Sequence, residues 1–439
     1  MIMPGQVTAQ TYFPILCALA VRNAASKPVY RRLWAQALSA HDGAPPFAAL
    51  PLITREAYEA ARADERHDED VVLIHHSTGT TGPAFFRHRT ATEVQRMTAF
   101  FTEHYRRLGV TDADAGPRPM VLCEIDGYHG TRIPAPSPAF PVHGDANSAG
   151  TLAQAAASLT RRYGLAGVSE QPVAIIGTEQ FLMLVTLELM REGINPKDLP
   201  VRRLMSCGHY LSNTRRGFFR EAWGLEVEDS FSLSEVFGSA RRMPGGRHRF
   251  WPMVHAEFVD PASGEQVRDG LAELVLTELP PFVDYEPLVR YRTGDLVRVY
   301  GDDTHPALSE FTPLGRLSRS VRARDGSPLL AQYLILDAVD HIPEIARERP
   351  ERWIEARFGP VPLGRPCIAV TQDPGAIVFD VQLNFCPRTF PQAARAAAAR
   401  LSRRLRAAQA QTTGGAGRRV RISVRTTGLP VTPAALFGS

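Results

Sequence analysis

Ser77 to His88 reads STGTTGPAFFRH, small hydroxyl residues interleaved with glycines. Such a composition lets the backbone curl so that amide N–H groups and hydroxyls converge on one anion. Taken alone, a stretch of this composition is more often an ordinary surface turn. The order Gly-x-x-x-x-Gly-Lys-Ser/Thr is absent, so this is not a Walker A loop. Other chemistry-bearing side chains are dispersed. Cys17, Cys123, Cys207, Cys367 and Cys386 lie far apart with no Cys-x-x-Cys pair, which suggests neither a zinc knuckle nor a disulfide framework. Cys207 reads as a small buried hydrophobe rather than a nucleophile. His75 and His76 are adjacent, and neighbours on a strand point to opposite faces, so they cannot share one metal ion without distortion.

The elements that must position these groups follow from apolar periodicity. Val71-Val72-Leu73-Ile74 predicts a buried strand that delivers the glycine-rich loop. Ahead of it, the spacing predicts a helix, a break at Pro28 and a second helix, then a helix capped by Thr54. Strand-like runs at Pro119–Cys123, Val173–Ile176, Arg203–Ser206 and Glu226–Asp229 alternate with helical patterns at Thr151–Tyr163, Glu179–Glu192 and Asn213–Trp223. That alternation predicts an α/β layered fold with a largely parallel sheet. Met253 to Val299 carries strand and turn signals but little helix, a smaller β element. Beyond Gly315 an Arg-rich stretch leads to a helix from about Gln332, a strand at Ile377–Leu383, an Ala/Arg-rich helix at Pro391–Ala410 and a last strand at Val420–Arg425, together a small α+β unit.

A chain of 439 residues exceeds what one hydrophobic core usually supports, so two domains are expected. With 44% hydrophobic and 22% charged residues it has the composition of a soluble globular protein. The net charge of +4, from 50 basic and 46 acidic residues spread along the chain, makes no nucleic-acid-binding stripe. Tyr12 to Val21, the most apolar N-terminal run, is too short to span a bilayer and lacks signal-peptide flanks. No nucleic acid, no membrane and a reducing cytoplasm are the expectations.

Three further stretches follow STGTTG in order: EDSFSLSEVFG (Glu228 to Gly238), LVRYRTGDLVRV (Leu288 to Val299) and LGRLSRS (Leu314 to Ser320). Together the four resemble the nucleotide-binding motifs of the ANL superfamily of adenylate-forming enzymes, YRTGD being the most specific. PVYRRLW, LPLITREAYEA and EFVDPASGE resemble its phenylacetate:CoA ligase branch. The resemblance implies a large N-terminal layered α/β domain with a β subdomain, residues 1–315, and a small α+β C-terminal lid, residues 316–439. It implies ATP and Mg²⁺ as cofactors, a small carboxylic acid as substrate, and a thiol (CoA or a carrier protein) or an amine as acceptor, in a monomer or homodimer. On this resemblance Ser77, Thr78, Gly79, Thr80, Thr81 and Gly82 hold the β- and γ-phosphates. Glu235 is the Mg²⁺-binding acid, Ser234 the phosphate-contacting hydroxyl and Phe231 the aromatic stacked on adenine. Asp295 accepts from the ribose hydroxyls, and Arg316 reaches ribose or phosphate. Gly208 lies beside the adenine and acyl pockets, and Tyr128 and His129 in DGYHG fall where the branch keeps an acyl-pocket segment.

The chain departs from the family at its lysines. The family's loop continues Gly-Lys-Pro, whereas here Gly82 is followed by Pro83, and nothing basic follows Arg425, where the family has a second lysine. The chain has two lysines, Lys27 and Lys197, both in other segments. Arginine is the expected substitute, since a guanidinium binds phosphate oxygens bidentately, with Arg87, Arg89, Arg322 and Arg324 as candidates. A partner-supplied group, or loss of the adenylation step with only binding retained, are the alternatives. In the hinge, Ser318-Arg319 replaces the family's usual Asp, and Ile335 and Leu336 stand where glutamates are common.

Overall fold

The computed structural model describes residues 8–42, 44–62, 70–76, 84–107, 117–124, 139–208, 210–301, 305–348, 351–359, 361–373, 375–414, 421–431 and 433–434. Helices α1 (Ala9–Ala25), α2 (Pro28–Leu33), α3 (Ala35–Ser39) and α4 (Arg55–Arg62) open the chain. Pro28 sits in the first turn of α2, where its missing N–H costs no hydrogen bond. Thr54 Oγ1 accepts from Ala57 N at 3.2 Å and caps α4. Strands β1 (Val71–His76) and β2 (Phe86–Thr90) pair antiparallel, and α5 (Ala91–Arg107) follows. Sequence predicted β1 as a buried strand, yet Val72 and Ile74 are exposed, because β1 pairs with β2 alone and lies outside the main sheet.

The predicted alternation is present as β3 (Arg118–Glu124), β4 (Phe140–Gly144), α6 (Ala149–Thr160), β5 (Val168–Gly177), α7 (Glu179–Arg191), β6 (Arg203–Cys207), α8 (Asn213–Trp223) and β7 (Val227–Ser232). Caps set the helix starts: Ser148 and Thr151 form a reciprocal box at α6, Thr178 accepts from Phe181 N at α7, and Ser212 accepts from Arg215 N at α8. The chain continues as β8 (Ser239–Arg242), β9 (His248–Phe250), β10 (Val254–Val259), β11 (Gly270–Glu278), β12 (Tyr291–Tyr300) and β13 (Glu310–Arg316). All except β1 and β2 join one eleven-stranded sheet in the order β10-β11-β12-β13-β9-β8-β7-β6-β5-β3-β4. Its β3 to β7 half is parallel and the remainder antiparallel. The mixed α/β class is as expected, but the β element is continuous with the parallel half, because β8 pairs along β7 through Ser230↔Arg241 and Phe231↔Ala240.

Two apolar clusters flank this sheet. One gathers Tyr30, Trp34 and Tyr58 of the N-terminal helices against Phe258, Leu274 and Tyr291 of the antiparallel half. The other packs α6, α7 and α8 on the parallel half through Leu152, Phe181, Leu184 and Phe219. After Arg316 come β14 (Val321–Arg322), β15 (Pro328–Leu330), α9 (Gln332–Asp340), β16 (Arg347–Glu348), α10 (Arg352–Phe358), β17 (Arg365–Pro366), β18 (Ile368–Asp373), β19 (Ala376–Gln382), α11 (Pro391–Thr413) and β20 (Arg421–Thr427). They form small sheets and a core of their own around Ile335, Ile377, Phe379, Leu401 and Leu405. Helix α10 is the exception, for Ile354 is buried among the side chains of α6 to α8. Among the described residues no helix is long and apolar enough to cross a membrane.

Candidate nucleotide site

The candidate site residues are carried by β7, where the sheet changes from parallel to antiparallel, and by β12 and β13 in its antiparallel half. The turn between β7 and β8 carries Ser234 and Glu235, half-buried and buried respectively. Across from it β12 presents the YRTGD run. Tyr291 is buried, stacks on Phe85 at 6.1 Å and points its Oη at Glu235 Oε1, 3.5 Å away. Gly294 has φ +73°, a left-handed conformation that glycine adopts without penalty. Thr293 Oγ1 accepts from Asp295 N at 3.0 Å, and its carbonyl accepts from Arg316 Nη1.

Asp295 and Arg316 are register partners on β12 and β13, and Arg316 Nε lies 3.3 Å from Asp295 Oδ1. The other carboxyl oxygen, Oδ2, is buried and has no hydrogen-bond partner among the described residues. Burial pushes the Asp295 carboxyl up to about 6, against the lowering effect of Arg316 and with a further rise from Glu235. Arg316 is raised by Asp295 and Glu235, so the three groups share one electrostatic neighbourhood. Phe231 on β7 is half-buried and meets Phe250 and Phe311 edge-on, at 6.2 and 5.6 Å. Gly208, with φ +83°, is exposed at the end of β6. Ser77, Thr78, Gly79, Thr80, Thr81, Gly82, Tyr128 and His129 lie outside the described residues. His75, at the end of β1, is buried and hydrogen-bonds the Ser234 backbone, which places the root of the glycine-rich segment beside the Glu235 turn. Burial, Arg89 and Arg87 hold the His75 ring down at about 3, a neutral imidazole.

Several contributors have no sequence signal. Gly315, with φ +95°, leaves room for α9: a Cβ there would fall 2.7 Å from Gln332 Oε1 and 2.9 Å from Tyr333. Gln332 Oε1 accepts from Arg316 N at 2.9 Å, and the Tyr333 ring stacks on Tyr210 at 4.2 Å and 18°. Asp229, near the start of β7, accepts from Arg216 and lies 3.5 Å from His248 Nε2.

The arginine candidates divide. Arg87 and Arg89 are wholly buried, each with Nη2 on Glu278, at 2.8 and 3.0 Å, so they are not free to meet a phosphate. Arg322 and Arg324 are exposed on the β14–β15 hairpin. Arg319, which the sequence reading passed over as a mere departure, is half-buried beside Arg316 and Tyr333, and burial and Arg316 lower its pKa.

The residues present suit a nucleotide. A buried carboxylate oxygen lacking a donor, next to a guanidinium, matches a ribose hydroxyl. Among the described residues no three metal-ligating groups cluster. A Mg²⁺ held on a nucleotide needs only one or two carboxylates beside phosphate oxygens and water, which Glu235 can supply.

No family model matches the chain. It is 31% identical over 142 residues to phenylacetate-coenzyme A ligase of Pseudomonas putida, covering 31% of this chain and 32% of that one. It is 28% identical over 135 residues to the enzyme of that name from Aromatoleum evansii, covering 29% and 30%. The chain thus aligns with about a third of the length of the curated relatives it matches. The solved structure of 2-hydroxyisobutyryl-CoA ligase in the postadenylation state, in complex with 2-HIB-AMP, superposes with a TM-score of 0.68 at 16% identity, covering 99% of this chain and 92% of that one. Local identity to these ligases and a fold shared over nearly the whole chain make it similar to phenylacetate-coenzyme A ligases in sequence and to 2-hydroxyisobutyryl-CoA ligase in fold, with the EDSFSLSEVFG, LVRYRTGDLVRV and LGRLSRS stretches carried on β7, β12 and β13 and the turns beside them.

Proposed function

We propose that the chain activates a small carboxylic acid with ATP, giving acyl-AMP and pyrophosphate, and transfers the acyl group to a thiol, with CoA as the acceptor its relatives' names favour. The observation that carries this reading is the joining of Asp295, Arg316, Tyr291 and Glu235 in one largely buried cluster, with Asp295 Oδ2 lacking a donor among the described residues. In this reading Asp295 takes the ribose hydroxyls and Arg316 holds its carboxylate in place while reaching toward the phosphate. Glu235 would hold Mg²⁺, which neutralises phosphate charge and orients the leaving pyrophosphate. Phe231 offers a half-buried ring to the base. Residues 316–439 serve as a lid that delivers Tyr333, Gln332 and Arg319 to the nucleotide.

The test is pyrophosphate release across a panel of aryl and alkyl acids, with mass detection of acyl-AMP. An acid-dependent burst with the matching adenylate supports the reading; nucleotide binding without pyrophosphate from any acid supports a second one. That second reading, a nucleotide- or acyl-binding homologue without turnover, is favoured by Pro83 in the lysine position and by Arg87 and Arg89 being committed to Glu278.

A further inference from the structure

Glu278 ends β11 and is wholly buried. Its carboxylate meets four donors, two on each oxygen. Oε2 accepts from Arg87 Nη2 at 2.8 Å and Leu288 N at 2.9 Å, and Oε1 from Arg89 Nη2 at 3.0 Å and Phe237 N at 2.7 Å. The acceptor capacity of the group is thereby filled.

The donors come from three separate segments. Arg87 and Arg89 lie on β2, register partners of His75 and Leu73 on β1, so they anchor the hairpin that flanks residues 77–83. Phe237 stands two residues after Glu235. Leu288 leads into β12, which carries Asp295. Glu286 supports the same hairpin from a second point, its carboxylate accepting from His88 N at 3.1 Å and its carbonyl from Arg87.

We propose that Glu278 is a positioning residue that fixes the flanks of the phosphate loop against the Glu235 turn and the root of β12. The proposal rests on the ligase reading above. A buried charge cluster is costly to desolvate and is often replaceable by apolar side chains without loss of stability. Here it adds a directional, charged link between segments that also meet through the apolar cluster of Phe85, Phe237 and Leu288, and that must be held in register to grip one triphosphate. The guanidiniums act on β2 through Glu278 and not on phosphate, which also accounts for their burial.

A structural role and a positioning role separate by ligand. The loop serves the β- and γ-phosphates, whereas AMP is held by the Asp295 and Phe231 side of the site. Calorimetry on the full chain compares MgATP with AMP. Glu278→Gln turns one acceptor oxygen into a donor facing donors, and should weaken MgATP ten- to a hundredfold, the effect of losing charge-assisted bonds, while AMP changes less than about threefold. Arg89→Lys keeps the charge but loses the fork, leaves Phe237 and Leu288 bonded, and should move the MgATP-to-AMP ratio the same way by a smaller factor. If Glu278→Gln does not fold, the ratio in Arg89→Lys decides. Equal loss of both ligands, or an unchanged ratio, overturns the positioning role and leaves the ligase reading standing. A parent protein that binds neither nucleotide overturns both.

Discussion

Asp295 Oδ2 is a buried acceptor with no donor among the described residues, an arrangement that normally costs about 1 to 3 kcal/mol and that a bound hydroxyl would relieve. Asp295→Ala should therefore lower ATP and AMP affinity alike, by about 1 to 3 kcal/mol in calorimetry. The carboxyl also sets a pH dependence. Its pKa of about 6 in the folded protein exceeds the ordinary 3.8, so the folded state binds this proton more tightly than the unfolded chain. The site's contribution to stability accordingly declines as pH rises through that interval. Binding has the opposite sense, because ribose hydroxyls favour the ionised acceptor. Nucleotide affinity should fall as pH drops below about 6, by up to about tenfold per pH unit, stay level above it, and lose the slope in Asp295→Asn. A slope that persists in the asparagine variant would place the titrating group elsewhere. In the proposed ligase reading, the charge for the chemical step belongs at this scale too. With Arg87 and Arg89 neutralised on Glu278, Arg319 is the half-buried cation beside Arg316, and Arg319→Ala should slow pyrophosphate formation by roughly tenfold or more with little change in ATP binding.

At the scale of elements, the approach of α9 to β13 depends on Gly315. A methyl group there would meet Gln332 and Tyr333 at 2.7 to 2.9 Å, on a backbone at φ +95°. Gly315→Ala combines left-handed strain with overpacking and should cost about 2 to 4 kcal/mol in urea denaturation, while displacing the Gln332 acceptor from Arg316 N. Local rules made the α/β alternation legible: β5 and β6 are short apolar runs, and Ser212 and Gly224 bracket α8 as cap and left-handed stop. They could not reveal that β13 returns to β9 through Phe311↔His248 and so welds the β element into the main sheet, since that pairing spans 63 residues with no local signal. The site divides the same way. Asp295 and Arg316 were readable because a motif fixes each, and strand register then brings them opposite. Tyr333 on Tyr210 and Glu278 against Arg87 and Arg89 were not, because each is defined by a tertiary neighbour remote in sequence.

At the scale of the whole molecule, the segment after Arg316 is tied to the large unit through helices α9, α10 and α11, among other contacts. Helix α9 meets α8 through Asn213–Asp337, Thr214–His341 and Arg215–Asp340. Helix α11 is reached by Arg298, which donates to the Gln411 carbonyl. Helix α10 inserts Ile354 into the α6–α8 cluster, and Arg357 forks onto the buried Glu188, with Nε at 2.7 Å from Oε2, beside Arg191. Those guanidiniums hold the Glu188 carboxyl at about 2, so this tie is complete above the ordinary carboxylate range and weakens only as pH falls through it toward 2. If residues 316–439 move as the proposed lid, a rotation about Gly315 and Arg316 breaks these ties together, and α10 contributes an apolar one. Truncating Ile354 to alanine removes buried methyl groups worth about 2 to 5 kcal/mol, and Arg357→Ala removes a charge-assisted pair worth about 1.5 to 3. Neither touches β18, β19, β20 or their core. The double variant should therefore raise amide hydrogen exchange in α9 and α10 while leaving the β18–β20 sheet and the parallel half of the main sheet as protected as before. Faster exchange throughout the chain would mean that α10 is a structural part of the large unit and not the release point of a lid.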